Sequence, residues 1–178
     1  MPNTAFDLTF IEIITIFTAY LFAATAKGIT GLGFSTTCLP ILVFAIGLKD
    51  ALSLVLIPSI CSNLVVMRQV GQFKSTILRF WPMLLATIPG LILGLWVLSE
   101  IKEDMAKVVF GLVLLLWCGF SLLKPDLRLT DGRERYFAPI SGICTGIING
   151  LTGSQVMPAI PFLMSLSLDR NAFIQAAN

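Results

Sequence analysis

Along the chain the apolar residues fall into blocks rather than stripes. Leu8 to Ala26 is the first block, close to the ~20 residues that an α-helix needs to cross the hydrocarbon core of a bilayer. Ala51 to Met67, Phe80 to Leu98 and Val108 to Leu123 have similar lengths. Phe34 to Gly47, Phe137 to Ile148 and Ala159 to Leu168 are shorter, and a further helix opens after Asn171. Blocks that are apolar on every side predict membrane spans or deeply buried helices, and the short ones predict half-helices or tilted segments. Pro58 removes a backbone hydrogen bond inside its block, which predicts a kink. Gly90 and Gly94 form a GxxxG spacing, the mark of a helix face that another helix approaches closely.

Composition turns this pattern into a class. Of 178 residues, 56% are hydrophobic and 12% charged, with a mean hydropathy of +0.90. Soluble domains carry about 25% charged residues, and half of that leaves too little polar surface to cover a globule. The expected fold is therefore all-α, a polytopic integral membrane protein with the lipid bilayer as its solvent. The N-terminus lacks a positive region and carries Asp7 and Glu12, so the first block is expected to remain as a helix rather than act as a cleaved signal. Glu12, one turn inside it, is read as reaching back to the interface.

The polar connections supply a topology. Arg68, Lys74 and Arg79 occupy residues 68–79 without an acid, and residues 124–135 hold four basic and three acidic residues. The 99–107 connection instead sets Glu100, Glu103 and Asp104 against two lysines. Lys/Arg-rich short loops favour the cytoplasm, which places both basic connections inside and the N-terminus outside. The composition shift at 124–135 divides the chain. Residues 1–123 read as a first transmembrane repeat, 124–135 as a cytoplasmic connection, and 136–178 as the start of a second repeat, incomplete in this chain.

The repeat itself rests on the glycine-rich breaks. Gly28-Ile29-Thr30-Gly31 matches Gly150-Leu151-Thr152-Gly153 at an offset of 122. Pro40-Ile41-Leu42 matches Pro161-Phe162-Leu163, and Lys49-Asp50-Ala51 matches Arg170-Asn171-Ala172, both at 121. Five expected crossings separate the two motifs, so the repeats should be inverted relative to one another. Gly/Pro-interrupted apolar segments at matching places in two halves point to a transporter binding site. A broken helix exposes N–H groups carrying about half a positive charge, which form an anion site when aimed at a cavity. The candidate binding residues are Lys27, Gly28, Thr30, Gly31, Gly33, Ser35 and Thr36 in the first copy, with Asn63 beside the Pro58 stretch. In the second copy they are Asn149, Gly150, Thr152, Gly153, Ser154 and Gln155. Lys27 is either an interfacial lysine or a fixed cation for the substrate; its counterpart, Asn149, is uncharged.

Other chemistries are excluded or unsupported. Histidine is absent, which removes His-based catalysis and His-ligated metal sites from this chain. The four cysteines are far apart with no CxxC spacing, and read as small hydrophobes rather than metal or redox ligands. An enzyme, a metal or a cofactor is not expected. A net charge of +2 without a long basic run argues against nucleic-acid binding. With no ATP-binding P-loop, any coupling should be to an ion gradient. Nothing in the sequence sets an oligomeric state.

The chain resembles the TauE/SafE-type sulfite exporter family, also described as the toluene-sulfonate uptake permease family. The resemblance is carried by Gly28-Ile29-Thr30-Gly31-Leu32-Gly33 through Pro40, by the repeat from Gly150 through Pro161, and by Pro89-Gly90 and Gly94. It implies a secondary transporter of the bacterial inner membrane for a small anion, sulfite or an organosulfonate. It also implies two repeats with about seven or eight spans in all, of which this sequence would cover the first repeat and the opening of the second. Ser154-Gln155 replaces the denser glycine run that many members have there. The rival reading is a non-catalytic membrane subunit or scaffold whose glycines serve helix packing.

Overall fold

The computed structural model describes residues 9–123, 129, 133–154 and 157–178, and among these every regular element is helical. The elements are α1 (Phe10–Thr30), α2 (Phe34–Ile46), α3 (Leu48–Val70), α4 (Phe73–Glu100), α5 (Glu103–Leu123), α6 (Glu134–Thr152), α7 (Ala159–Ser165) and α8 (Arg170–Ala177). α1, α3, α4 and α5 are long and apolar enough to cross a membrane. Most of their large apolar side chains face outward, as lipid-facing surfaces do.

Local chemistry explains where helices start and stop. The Glu12 carboxylate accepts from the Thr9 N–H (2.7 Å) and hydroxyl (2.6 Å), so this acid closes the first turn of α1 rather than leaving it. α1 runs four residues beyond the sequence expectation because Gly28 is accommodated and the stop is set by Gly31. Gly31 adopts the left-handed conformation (φ 80°) and donates to the Lys27 carbonyl at 2.7 Å. The break is thus Gly31-Leu32-Gly33, and Lys27, Gly28 and Thr30 belong to the helix. α4 begins at Phe73 instead of Phe80, and α6 continues through Asn149 and Gly150 to Thr152. α3 is helical through Pro58. That proline cannot donate to the Leu54 carbonyl, and the Tyr20 hydroxyl takes its place at 2.7 Å. Cys38 alone among the cysteines is buried; Cys61, Cys118 and Cys144 lie on the outer apolar surface.

Side-chain pairings fix helix directions. Tyr20 meets Leu54 and Lys27 meets Asn63, so α1 and α3 run the same way. On the other side of the molecule, Gly142 lies on Met83, Gly146 on Thr87 and Gly150 on Gly94, so α4 and α6 are parallel. Their beginnings are joined by Arg79 and Glu134 in a bidentate pair at 2.9 Å. This brings Arg79 and Glu134 side by side at one end of the α4–α6 pair. The start of α3 meets the start of α5, where Glu103 accepts from the Leu48 N–H at 3.3 Å. Since α5 follows directly on the end of α4, α3 and α4 run in opposite directions.

The α4–α6 contact is built on glycines from both helices. A Cβ on Gly146 would strike the Thr87 carbonyl and lie 2.7 Å from the Leu91 nitrogen; one on Gly94 would strike the Ile147 carbonyl. The GxxxG spacing in α4 is thus answered by Gly142, Gly146 and Gly150 at the same interval in α6. A second cluster, around Leu39, Leu42 and Leu48, joins α1, α2, α3 and α5 with Leu98 near the end of α4. The two assemblies also meet at the second break, where Gly153 lies on Leu52 and Leu39.

Candidate functional site

Between the end of α1 and the start of α2 lies a cavity of about 280 Å³. By the 1.5 Å rise per helical residue, its α3 residues Ser59 and Asn63 sit roughly 17 and 23 Å from the start of that helix, which is about 35 Å long. The cavity is therefore close to the middle of the bundle. α1 contributes Lys27 and Thr30, and Gly33 leads into α2, which contributes Phe34, Ser35, Thr36 and Thr37. α5, α7 and α8 add Trp117, Ile160, Ala177 and Asn178.

The first turn of α2 faces this space without a cap. Its first intrahelical bond is Thr37 N–H to Gly33 O at 3.0 Å, so the N–H groups of residues 34–36 precede it, and no side chain caps them. Gly33 reaches φ 85°, in the left-handed region where a side chain would be strained, and this lets the chain turn directly into α2. Lys27 is 4% exposed and turns inward, donating to Asn63 Oδ1. It forms no salt bridge among the described residues. Ser35 and Ser59 hydroxyls pair at 2.8 Å. The result is a polar wall with one buried ammonium, several hydroxyls and a helix N-terminus, set in an apolar bundle.

The second break repeats the first in local geometry. Thr30 Oγ1 donates within reach of Ala26 O (2.9 Å) and accepts from Leu32 N–H (3.2 Å). Thr152 Oγ1 donates to Ile148 O (2.6 Å) and accepts from Ser154 N–H (3.2 Å). Gly31 and Gly153 both have left-handed backbones, each N–H bonded 2.7 Å back to the carbonyl of Lys27 or Asn149. Each threonine closes the end of its helix and bridges into the break.

The candidate residues divide into three groups. Lys27, Thr30, Gly33, Ser35, Thr36 and Asn63 line the cavity. Ser154 adjoins it, its hydroxyl 3.5 Å from that of Thr36. The others lie apart from the lining. Gly28 faces open space, Gly31 packs on Ile174, Gly150 packs on α4, and Gly153 is covered by Leu52 and Leu39. Thr152 is fully buried, and Asn149 lies in the last turn of α6. Gln155 falls outside the described residues. Sequence reasoning passed over Ser59 and Trp117 as site residues. Ser59 could have been found, since it lies one helical turn before Asn63; nothing in the apolar block of α5 singles out Trp117.

The family model for sulfite exporter TauE/SafE matches residues 16–178. No curated protein and no solved structure matches the chain.

Proposed function

The chain belongs to the sulfite exporter TauE/SafE family of membrane transporters, and on that footing we propose that it carries a small anion, sulfite or an organosulfonate, by alternating access. The observation that carries this reading is the meeting of Lys27 with the uncapped first turn of α2 in one mid-bundle cavity. An ammonium and oriented N–H groups both favour negative charge, and among the described residues no Asp or Glu side chain lines the cavity to oppose them. Thr30, Ser35, Thr36, Ser59 and Asn63 supply hydrogen-bonding side chains. The anion is held mainly at the first break. The second break supports it through Ser154 and Thr36.

The helix directions support inversion of the two repeats. α1 runs with α3, α6 runs with α4, and α3 and α4 are opposed. The two broken pairs, α1–α2 and α6–α7, therefore enter from opposite sides, the arrangement that alternating access uses. Rocking of one broken pair against the other would expose the cavity to each side in turn, with any coupling made to an ion gradient. The bacterial inner membrane is the location this reading assigns. Residues 1–123 are then the first repeat, and residues 136–178 belong to the second.

The glycines have a divided role. Gly142, Gly146 and Gly150 serve close packing on α4, which is what a pure scaffold would also use them for. Flux separates the two readings. The purified chain in sealed vesicles should show saturable uptake of sulfite or a small sulfonate; a scaffold gives none, and a channel gives flux that does not saturate.

A further inference from the structure

The cavity has a second character that anion binding does not use. Lys27 and the hydroxyl-bearing residues come from α1, α2 and α3, whereas α5 and α7 contribute only Trp117 and Ile160. Phe34 joins them at the start of α2. The indole of Trp117 is stacked on Phe120 one turn further along α5, with ring centroids 5.9 Å apart and planes at 22°. No hydrogen bond engages its ring nitrogen among the described residues.

Size points the same way. A compact oxyanion has the bulk of a few water molecules, each needing about 10–15 Å³ of cavity space, and the cavity holds about 280 Å³. An anion bound by Lys27 and the α2 N–H groups therefore leaves a large part of the space unfilled. The remaining lining is largely apolar. Water there would have few polar partners, and a substituent that displaces it gains affinity.

We propose that Trp117 is a specificity-determining residue: its indole forms an apolar subsite, with Ile160 and Phe34, that ranks anions carrying an apolar substituent above bare oxyanions. The proposal rests on the anion-site reading of the same cavity. The ligand class it selects is a monoanion with a short apolar tail, held by one fixed cation at the head and by the α5 aromatic along the tail. Hydrophobic pockets discriminate by about tenfold or more per added methylene-sized group, so the subsite should be visible in a homologous series.

The test compares methanesulfonate with butane-1-sulfonate as competitors of sulfite uptake by the full chain in proteoliposomes. Each protein serves as its own reference, because the ratio of the two inhibition constants does not depend on how much protein is active. The wild type should prefer butane-1-sulfonate at least tenfold. Trp117→Ala should bring the ratio near one, and Trp117→Phe should keep most of the preference. A ratio unchanged in Trp117→Ala overturns the subsite while leaving the anion site standing. Loss of preference in Trp117→Phe equal to that in Trp117→Ala also overturns it, assigning the effect to the indole N–H. Absence of saturable sulfite uptake in the wild type overturns the anion site and the subsite together.

Discussion

Replacing Lys27 with Met tests the charge at the centre of the site. Met keeps the length of the aliphatic stem and removes the ammonium. Because Lys27 is 4% exposed and bonded to a neutral amide, the substitution relieves a desolvated charge and leaves only the Asn63 carbonyl oxygen short of a partner. Apolar replacement of buried charge is often neutral for stability when the volume is kept, and the single unmet acceptor costs roughly 1–3 kcal/mol. The helix is held elsewhere, by Tyr20 on Leu54 and by Ala19 and Ala23 in the core. Insertion and folding should therefore survive.

Binding should not survive unchanged. A hydrogen bond to a charged group contributes about 1.5–3 kcal/mol. At roughly 1.4 kcal/mol per tenfold, Lys27→Met should raise the half-saturating sulfite concentration by roughly 10- to 150-fold. The upper bound is a bare Coulomb term of about 4 kcal/mol for charges 4 Å apart at an effective dielectric constant of 20. Lys27→Arg keeps the charge but presents a planar fork to a site shaped for a compact ammonium, and should fall between the two. The assay is concentration-dependent uptake in proteoliposomes, normalised to inserted protein. A half-saturating concentration unchanged in Lys27→Met would refute the reasoning, because the buried cation would then contribute nothing to the anion.

Gly31→Leu and Gly153→Leu should each abolish uptake while the protein still reaches the membrane fraction. Both positions hold left-handed backbones, and a side chain at Gly153 would collide with Leu52 and Leu39; normal flux in either variant would dissociate the breaks from transport. Gly146→Ala should lower stability in detergent by about 1–3 kcal/mol, since its Cβ meets α4 backbone rather than movable side chains, and an unchanged unfolding midpoint would contradict the close α4–α6 contact. Tyr20→Phe should destabilise by roughly 0.6–1.7 kcal/mol, the range for interhelical hydrogen bonds in membranes, through the Leu54 carbonyl that Pro58 leaves free. The check is whether Pro58→Ala, which supplies the missing N–H, removes most of that cost.

What the sequence made legible was whatever depends on composition and on local backbone chemistry. Apolar block length fixes the long helices, because the bilayer core sets one length for all of them. Gly31 and Gly153 announce breaks because left-handed backbone is open to glycine at little strain. Helix ends were less legible. Arg79 lies ahead of the apolar block yet is helical, and its side chain pairs with Glu134 of the neighbouring α6; no local rule contains that partner. Gly28 and Gly150 look alike in the aligned motifs, but one faces open space and the other packs on Gly94, since direction around a helix depends on what lies opposite.

The same limit explains the unequal breaks. The motif match gives both copies the same closing threonine and the same left-handed glycine, and those local bonds recur. Beyond the match the sequences diverge at the positions that carry charge and helix length. Lys27 is replaced by Asn149, and α2 with 13 residues is answered by α7 with 7. A short helix has a weaker end field, because fewer aligned peptide dipoles stand behind it. A fixed cation and a longer helix at one break, with neither at the other, favour a single charged binding position rather than two equivalent ones. The second break then acts on that position from outside it, through the hydroxyl of Ser154 against Thr36. Symmetry in the backbone thus coexists with asymmetry in charge, and the anion position proposed above follows the charge.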